Sequence, residues 1–436
     1  MNGAKRRVAI TGLGLVTPVG TDVAKTWDAV LKGNSGAAAI TLFDASGFST
    51  RIAAEVKDFD GLKLDADRKL IKFANRSHRF ALAAAEQAIR DAGIAPTPDN
   101  GERWGCAVGT GMMGVAYADL EGVQQQAAAD GELHPDLFLQ SETATDPMVF
   151  CRSQAAGGLA LLTRRFGICG YSTSVHTACA SGGQAIGTAL KLIRRGSVDF
   201  ALAGGFDSMI SPVGLAGFCL LSAVSADNDT PERASRPFDA TRNGFVLGEG
   251  AGFLVLEEWE AAKARGAHIY AELAGDGNSL SSYRITDSPP DGDGPIQSMR
   301  AALADAGAMP GDVDYINAHG TSTYMNDKSE SAAIHAVFGD RTQDVSVSST
   351  KSSMGHLIAA AGAVELALCA LAIEHGEMPI NANLENPDPD CNLNFVVGAP
   401  RKQKVRMTLS NSFGFGGSNS CVLLRHPELV PSGARG

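Results

Sequence analysis

Three side chains in this 436-residue sequence have types and surroundings suited to acyl chemistry: Cys179, His319 and His356. Cys179 sits in the turn His176-Thr177-Ala178-Cys179-Ala180-Ser181-Gly182-Gly183. A run of small and β-branched residues at 171–175 precedes it. A helical pattern at 184–195 follows, with Ile186, Leu190 and Ile193 on one face and Lys191, Arg194 and Arg195 in the last turn. A cysteine at a helix N-terminus faces unpaired N–H groups and the positive end of the helix dipole, so a lowered thiol pKa and a nucleophilic role are expected. The competing reading is a small buried packing residue in a Gly/Ala/Ser-rich turn.

His319 ends the strand pattern Tyr315-Ile316-Asn317-Ala318, and Gly320 lets the chain turn sharply after it. Lys351 and His356 flank a second strand-to-helix turn, Lys351-Ser352-Ser353-Met354-Gly355-His356, after the strand pattern at 345–349. A lone histidine is more often structural than catalytic. These two share with Cys179 a place at a glycine-bordered strand end, where open α/β sheets put ligand sites. A thiolate can form a thioester, and two imidazoles beside it can stabilise an enolate oxygen. One cysteine and two histidines also suit a metal, but no further thiol or acidic ligand is spaced to complete a tetrahedral site, and no metal is expected. The glycine-rich stretch 410–419 lacks the Lys-Ser/Thr pair and following helix of a phosphate loop, so its N–H groups are read as an oxyanion hole beside the thiol.

These groups need a framework, and the chain supplies strand–helix alternation throughout. Strands are expected at 7–15, 104–108, 198–205, 253–256 and 406–409, and helices at 22–31, 79–92 and from 357. Residues 121–149 read as an insertion over the core. The second part echoes the first. Ala88-Ile89-Arg90-Asp91-Ala92-Gly93 matches Ala302-Leu303-Ala304-Asp305-Ala306-Gly307, and Ala107-Val108-Gly109-Thr110 matches Ala318-His319-Gly320-Thr321. Two similar α/β halves follow, 1–265 and 266–436, joined near 263–271, as mixed sheets covered by helices.

With 44% hydrophobic residues the chain can bury a large core. Eight scattered cysteines without a paired motif fit a reducing compartment, and the basic start runs into a strand without a signal-peptide pattern, so a cytoplasmic protein is expected. The apolar stretch 357–373 is short for a span and carries Glu365, hence a core helix and no membrane partner. A formal net charge of −11 argues against nucleic acid. An acidic partner would need a local basic patch. Arg68, Lys69, Lys72, Arg76 and Arg79, read as one helix beginning after Asp65 or Asp67, are the candidate, with an ordinary solvated helix face as the alternative.

Taken together, residues 177–182, 317–323, 351–356 and 411–419 resemble the ordered signatures of β-ketoacyl-(acyl carrier protein) synthases, most closely the elongating type II form, from Val8 to Leu424. The resemblance implies the thiolase fold, two duplicated halves in a five-layered α-β-α-β-α body. It implies a condensing acyltransferase of fatty-acid or related polyketide-type synthesis without a cofactor of its own, the phosphopantetheine arm arriving on an acyl carrier protein with malonyl and acyl thioesters. It further implies that Cys179 takes the acyl chain, that His319 and His356 support malonyl decarboxylation and hold the enolate, and that Lys351 orients the site with Glu365 ordering it. The N–H groups of Cys179 and Phe415 would bind the oxyanion. Thr321 and Thr323 would hold the pantetheine arm, Phe415 would gate the acyl pocket, Met112 and Phe413 would contact substrate, and the enzyme would be a homodimer.

The sequence departs from that family's usual pattern at Tyr324-Met325, at Ser353-Met354, at Arg284 where a histidine is common, and at Met112-Met113 in the acyl-pocket wall. Two other classes compete. A non-catalytic chain-length partner would lack the nucleophile that Cys179 supplies. A thiolase acting on coenzyme A esters would use two cysteines and one histidine.

Overall fold

The computed structural model describes residues 6–59, 68–111, 121, 128–129, 132–134, 136, 147–286 and 288–429. Met112 and most of the 121–149 insertion lie outside them. Runs of small and β-branched residues form the ten strands of the main sheet, numbered here in chain order: β1 Val8–Val16, β2 Trp104–Thr110, β3 Ser172–Val175, β4 Phe200–Ser208, β5 Glu249–Glu258, β6 Ala271–Leu280, β7 Tyr315–Asn317, β8 Ser346–Ser348, β9 Met407–Phe413 and β10 Ser418–Arg425. Five helices carry the argument: α1 Arg76–Ala92, α2 Ser181–Arg194, α3 Asp293–Ala306, α4 Tyr324–Phe338 and α5 Ala361–His375.

The strands pair in the order β8-β7-β9-β10-β6-β1-β5-β4-β2-β3. Between β6 and β1 this order divides into two arrays of one design. In the first, β2 is parallel to β3 and β4, and β5 runs antiparallel to β4 and β1. In the second, β7 is parallel to β8 and β9, and β10 runs antiparallel to β9 and β6. The arrays touch through the pairs Ala9–Glu272 and Ile10–Ala271. Helices α2 and α5 lie between them and contact strands of both, α1 covers the first array, and α3, with α4 beside it, covers the second. This is the five-layer order that the resemblance implied. Helix α5 is buried from Ala361 to Ile373, apolar all round except for Glu365. The segment Ile358–His375 is apolar and long enough to cross a bilayer, and 89% of it is buried inside the protein.

The duplication extends to single bonds. Each of β1 and β6 carries a one-residue bulge, at Thr11 and at Ala274. Just beyond each bulge an N–H is taken by a helix aspartate: Leu13 donates to Asp91 (2.9 Å) and Asp276 to Asp305 (3.1 Å). The helix presses directly on the strand in both halves. A Cβ on Gly12 would fall 2.2 Å from the Ala88 carbonyl oxygen, and one on Gly275 2.4 Å from that of Ala302. The helix echo read in the sequence therefore aligns the right residues. The strand echo is one residue out, because the strand pairs place Val108 at the position of Ala318 and Gly109 at that of His319.

Three other expectations are corrected. Arg68 and Lys69 open a short helix, Arg68–Ile71, that stops before Asn75, whose side chain caps the separate helix α1. The cap, which accepts the His78 N–H at 2.9 Å, breaks the expected single basic helix. The glycine-rich stretch 410–419 is mostly strand, leaving only 414–417 as a turn between β9 and β10. Gly250 and Gly252 lie inside β5 rather than before it, since α5 approaches so closely that a Cβ on Gly252 would sit 2.7 Å from the Val364 nitrogen.

Candidate active site

Two similar elbows build the site. Cys179 lies in a single 3-10 turn, Ala178–Ala180, that runs into α2, with Ala178 at φ 48°. His356 precedes the matching turn Ile358–Ala360 that runs into α5, with Ile358 at φ 49°. The two helices cross backbone to backbone, since a Cβ on Gly362 would fall 2.9 Å from the Gly183 nitrogen. Only that close crossing lets the elbows meet, and it places His356 Nε2 3.0 Å from Cys179 Sγ. The Ile358 N–H donates to His356 Nδ1 at 3.2 Å, so the neutral ring carries its proton on Nε2, facing the sulfur.

His319 arrives from the end of β7. Its N–H and that of Gly320 donate to Glu330 on α4, each at 2.8 Å, and the Thr321 N–H donates to Asp327 at 2.9 Å. The two imidazole rings stand edge to face with centroids 5.3 Å apart, and the sulfur and one nitrogen of each ring lie within 4.8 Å of one another. Lys351 is buried with Glu365, Nζ to Oε1 2.5 Å.

Burial sets the protonation states. Desolvation, then the Lys351 charge, holds both histidines well below the usual imidazole range, so both are neutral near pH 7, and His356 depresses His319 further. The expectation of a lowered thiol pKa is corrected: burial pushes Cys179 up to about 12, against the opposing pull of Lys351 and of the Phe415 and Cys179 N–H groups. Desolvation of a thiolate outweighs the helix end and the nearby cation. The resting pair is a neutral thiol beside a neutral imidazole. A soft cation would find three ligands here, but the Lys351 charge stands beside all three.

A cavity of about 330 Å³ opens onto Cys179, His319 and His356. Thr321 and Thr323 line its wall with their hydroxyls 2.8 Å apart, and Tyr324 and Met325 stand towards solvent. The Phe413 ring packs 5.7 Å from His319, and Phe415 lies in the turn beside the thiol. Arg284 is exposed and not part of the cavity wall, but its neighbour Ile285 is, and the Ile285 carbonyl accepts the Gly416 N–H at 2.6 Å. Of the basic cluster, Lys69 and Lys72 are exposed, whereas Arg76 is turned inward and paired with the buried Glu249 at 2.5 Å. Arg76 is therefore corrected from a free docking charge to a structural one.

Around the site, three buried carboxylates escaped the sequence reading: Glu330 and Asp327, which hold the His319 turn, and Asp207 at the end of β4. A signal existed for two of them. Asp327 and Glu330 stand three residues apart on one helix, on the face that Ala333, Ile334 and Phe338 turn inward. Desolvation raises Glu330 and Asp207 to about 7 each.

Comparison with known proteins agrees with this geometry. Residues 5–262 match the family described as "Beta-ketoacyl synthase, N-terminal domain" and residues 270–385 its "C-terminal domain". A 3-oxoacyl-[acyl-carrier-protein] synthase 2 of Coxiella burnetii is 42% identical over 96% of this chain and 98% of its own. The tetracenomycin polyketide synthase ketoacyl synthase alpha subunit of Streptomyces glaucescens is 40% identical over 98% and 99%. Among solved structures, the ishigamide ketosynthase/chain length factor superposes with a TM-score of 0.86 at 38% identity over 97% of this chain and 99% of that one. A type II polyketide ketosynthase in complex with its acyl-carrier protein gives 0.84 at 34% identity over 97% and 100%. The fold is the thiolase fold, and the chain belongs to the β-ketoacyl synthase family of condensing enzymes.

Proposed function

We propose that this chain joins an acyl group to a malonyl unit, both delivered as acyl carrier protein thioesters, and releases a 3-oxoacyl-(acyl carrier protein). The observation that carries this reading is the convergence of a thiol, two neutral imidazoles and the Phe415 N–H on one cavity. Cys179 sulfur attacks the acyl thioester carbonyl, the oxyanion is held by the N–H groups of Cys179 and Phe415, and the carrier thiol leaves with the proton that Cys179 gives up. The malonyl thioester then enters. Its carboxylate bond breaks, CO₂ departs, and the electron pair becomes an enolate whose oxygen accepts hydrogen bonds from the Nε2–H groups of His356 and His319. The enolate carbon attacks the acyl-Cys179 carbonyl, and collapse expels the thiolate. Each neutral imidazole keeps one N–H to donate to the developing anion.

Lys351, fixed by Glu365, adds its charge to the burial that holds both rings neutral and opposes the cost of the thiolate. Thr321 and Thr323 bind the pantetheine arm, Phe413 and Met112 contact the substrate, and Phe415 gates the acyl pocket. The turn that carries Phe415 is tied to residues 281–285 by the Gly416–Ile285 bond and by Ser281 donating to Gly417 (2.8 Å), so the two segments move together. A non-catalytic partner is disfavoured by the nucleophile in place, and a thiolase by the single cysteine with two histidines.

The exposed Lys69 and Lys72 meet the acidic carrier. Two copies pair through β3, an edge strand whose four residues are all half-buried, with Tyr171 exposed beside it. Eight free thiols suit the reducing cytoplasm. Intact-protein mass spectrometry after incubation with an acyl-carrier thioester tests the reading. One acyl group is expected on the wild type and none on Cys179→Ala; an unmodified wild type would refute it.

A further inference from the structure

The turn between His356 and α5 holds an isoleucine in a conformation that isoleucine avoids. Ile358 has φ 49°, which crowds a β-branched side chain against its own backbone and persists only when the surroundings impose it. The consequence of that angle is chemical: it aims the Ile358 N–H at His356 Nδ1 (3.2 Å) and leaves Nε2–H facing Cys179 (3.0 Å). The next N–H along the chain, that of Ala359, donates to Asp207 Oδ2 at 3.1 Å. Asp207 belongs to the other half of the molecule, at the end of β4, and is 4% exposed.

Asp207 is itself held. Its other oxygen accepts the Ser208 N–H at 2.8 Å, and the Ser208 hydroxyl donates to Glu249 at 2.7 Å. Glu249 is fully buried and also receives the Val56 N–H (2.9 Å) and Arg76 Nε (2.8 Å). Gly111 leaves the space the carboxylate fills, since a Cβ there would fall 2.5 Å from either Asp207 oxygen. A buried carboxylate costs free energy unless its partners compensate, and this one spends its second oxygen on one backbone N–H of the catalytic elbow.

We propose that Asp207 is a positioning residue for the condensation reaction: by accepting the Ala359 N–H it pins the left-handed Ile358, which in turn fixes the tautomer and aim of His356. Among the described residues no hydrogen bond links Asp207 to the sulfur or the imidazole; its charge raises the Cys179 thiol pKa, and because Asp207→Ala and Asp207→Asn both remove that charge, the difference between the two variants reads its hold on the turn. Pinning by a side chain from the first half also makes the aim of a second-half histidine depend on how the halves are packed.

The inference rests on the condensing activity proposed above, and its test separates the two. Condensation is measured with acyl- and malonyl-carrier thioesters for wild type, Asp207→Ala and Asp207→Asn, with kcat expressed per acylatable Cys179. An inactive wild type would sink the condensation reading itself. With an active wild type, Asp207→Ala should lower kcat roughly 10- to 100-fold, as sub-ångström misaim of a catalytic group does, with KM for the malonyl thioester within about twofold. Asp207→Asn keeps an oxygen acceptor for Ala359 and should recover most of kcat. A carboxylate that merely filled space would lower melting temperature but leave kcat per acylatable site unchanged, and that result overturns the proposal. Where Asp207→Ala alone does not fold, Ile358→Gly is compared with Ile358→Gly/Asp207→Ala. Glycine takes the left-handed angle without strain, so removing Asp207 should now cost little; an undiminished loss overturns the proposal equally.

Discussion

At the head of α2 stands Cys179, and at the matching place at the head of α5 stands Ala359. Both follow a residue with positive φ, Ala178 and Ile358, and both open a 3-10 turn into a buried helix. They differ in what meets their backbone N–H. Beside Cys179 is the turn that starts at Gly414, where a side chain has no room: a Cβ would fall 2.8 Å from the Thr177 oxygen and 3.2 Å from the Cys179 nitrogen. Counting through the strand pairs, the position of Gly414 in the first half is taken by Asp207, and its carboxylate binds the Ala359 N–H. One elbow leaves the Cys179 N–H facing a cavity; the other has the Ala359 N–H plugged by a side chain. A parallel contrast holds one strand further over. His319 projects into the site from the end of β7, whereas its counterpart Gly109 is pressed by α2, a Cβ there falling 2.4 Å from the Gly182 nitrogen. The duplication thus built one site from unequal contributions: a nucleophile from the first half, and both imidazoles, the lysine and the oxyanion turn from the second.

That division of labour assigns the two imidazoles of the second half to the enolate and not to the thioester, which the Phe415 N–H serves. His319→Ala and His356→Ala should each lower condensation by about 10²- to 10³-fold or more, the size of effect seen when an oxyanion donor is removed, while Cys179 still acquires its acyl group. Stopped-time mass spectrometry of the acyl-enzyme beside a turnover assay checks both halves of that statement. Loss of acylation in step with turnover would make the histidines part of the nucleophile's own activation and break the comparison.

The ordered site residues were legible because each sits in a short glycine-bordered motif that survives as a local pattern: Cys179 before Gly182, His319 before Gly320, His356 after Gly355. The helix echo was legible for a similar reason, since Ala92 and Ala306 bring their side chains, and Ala88 and Ala302 their carbonyls, directly against Gly12 and Gly275. What could not be read locally depends on burial created by distant parts of the chain. The thiol pKa is governed by desolvation, which no motif encodes, so the helix-end argument gave the wrong direction. Arg76 looked like its exposed neighbours until Glu249, 173 residues away, came to face it. Asp207 was passed over because its partner, the Ala359 N–H, belongs to the other half.

The crossing of α2 and α5 is what brings the unequal elbows together, so disturbing it should affect stability and chemistry jointly. Gly362→Val would set a branched side chain against the Gly183 backbone and the Ser412 hydroxyl, where a Cβ already falls at 2.9 and 2.7 Å. Overpacking of this kind destabilises by about 1–3 kcal/mol. The melting temperature should fall, and turnover of the protein that remains folded should fall with it as His356 moves away from Cys179. Full turnover at a lowered melting temperature would mean that the elbows hold their register without the close crossing.

The outer faces of the halves contrast as well, and here the expected effect is smallest. The stretch before and into α1 is basic, with Lys69 and Lys72 exposed, whereas the corresponding stretch at α3 carries Asp291 and Asp293. On a chain of formal charge −11, an acidic carrier is repelled at long range and can approach only over the basic face. Exposed charges steer encounter more than they hold a complex, so Lys69→Glu with Lys72→Glu should reduce the association rate with the carrier and weaken its salt dependence. Turnover of a small pantetheine thioester, which has no acidic surface to steer, should be nearly unchanged. Kinetics with both substrates across a salt series decide the matter. An equal reduction for both would show that the two lysines support the packing of the short helix and its neighbour α1, and that the first half contributes its nucleophile but not the docking face.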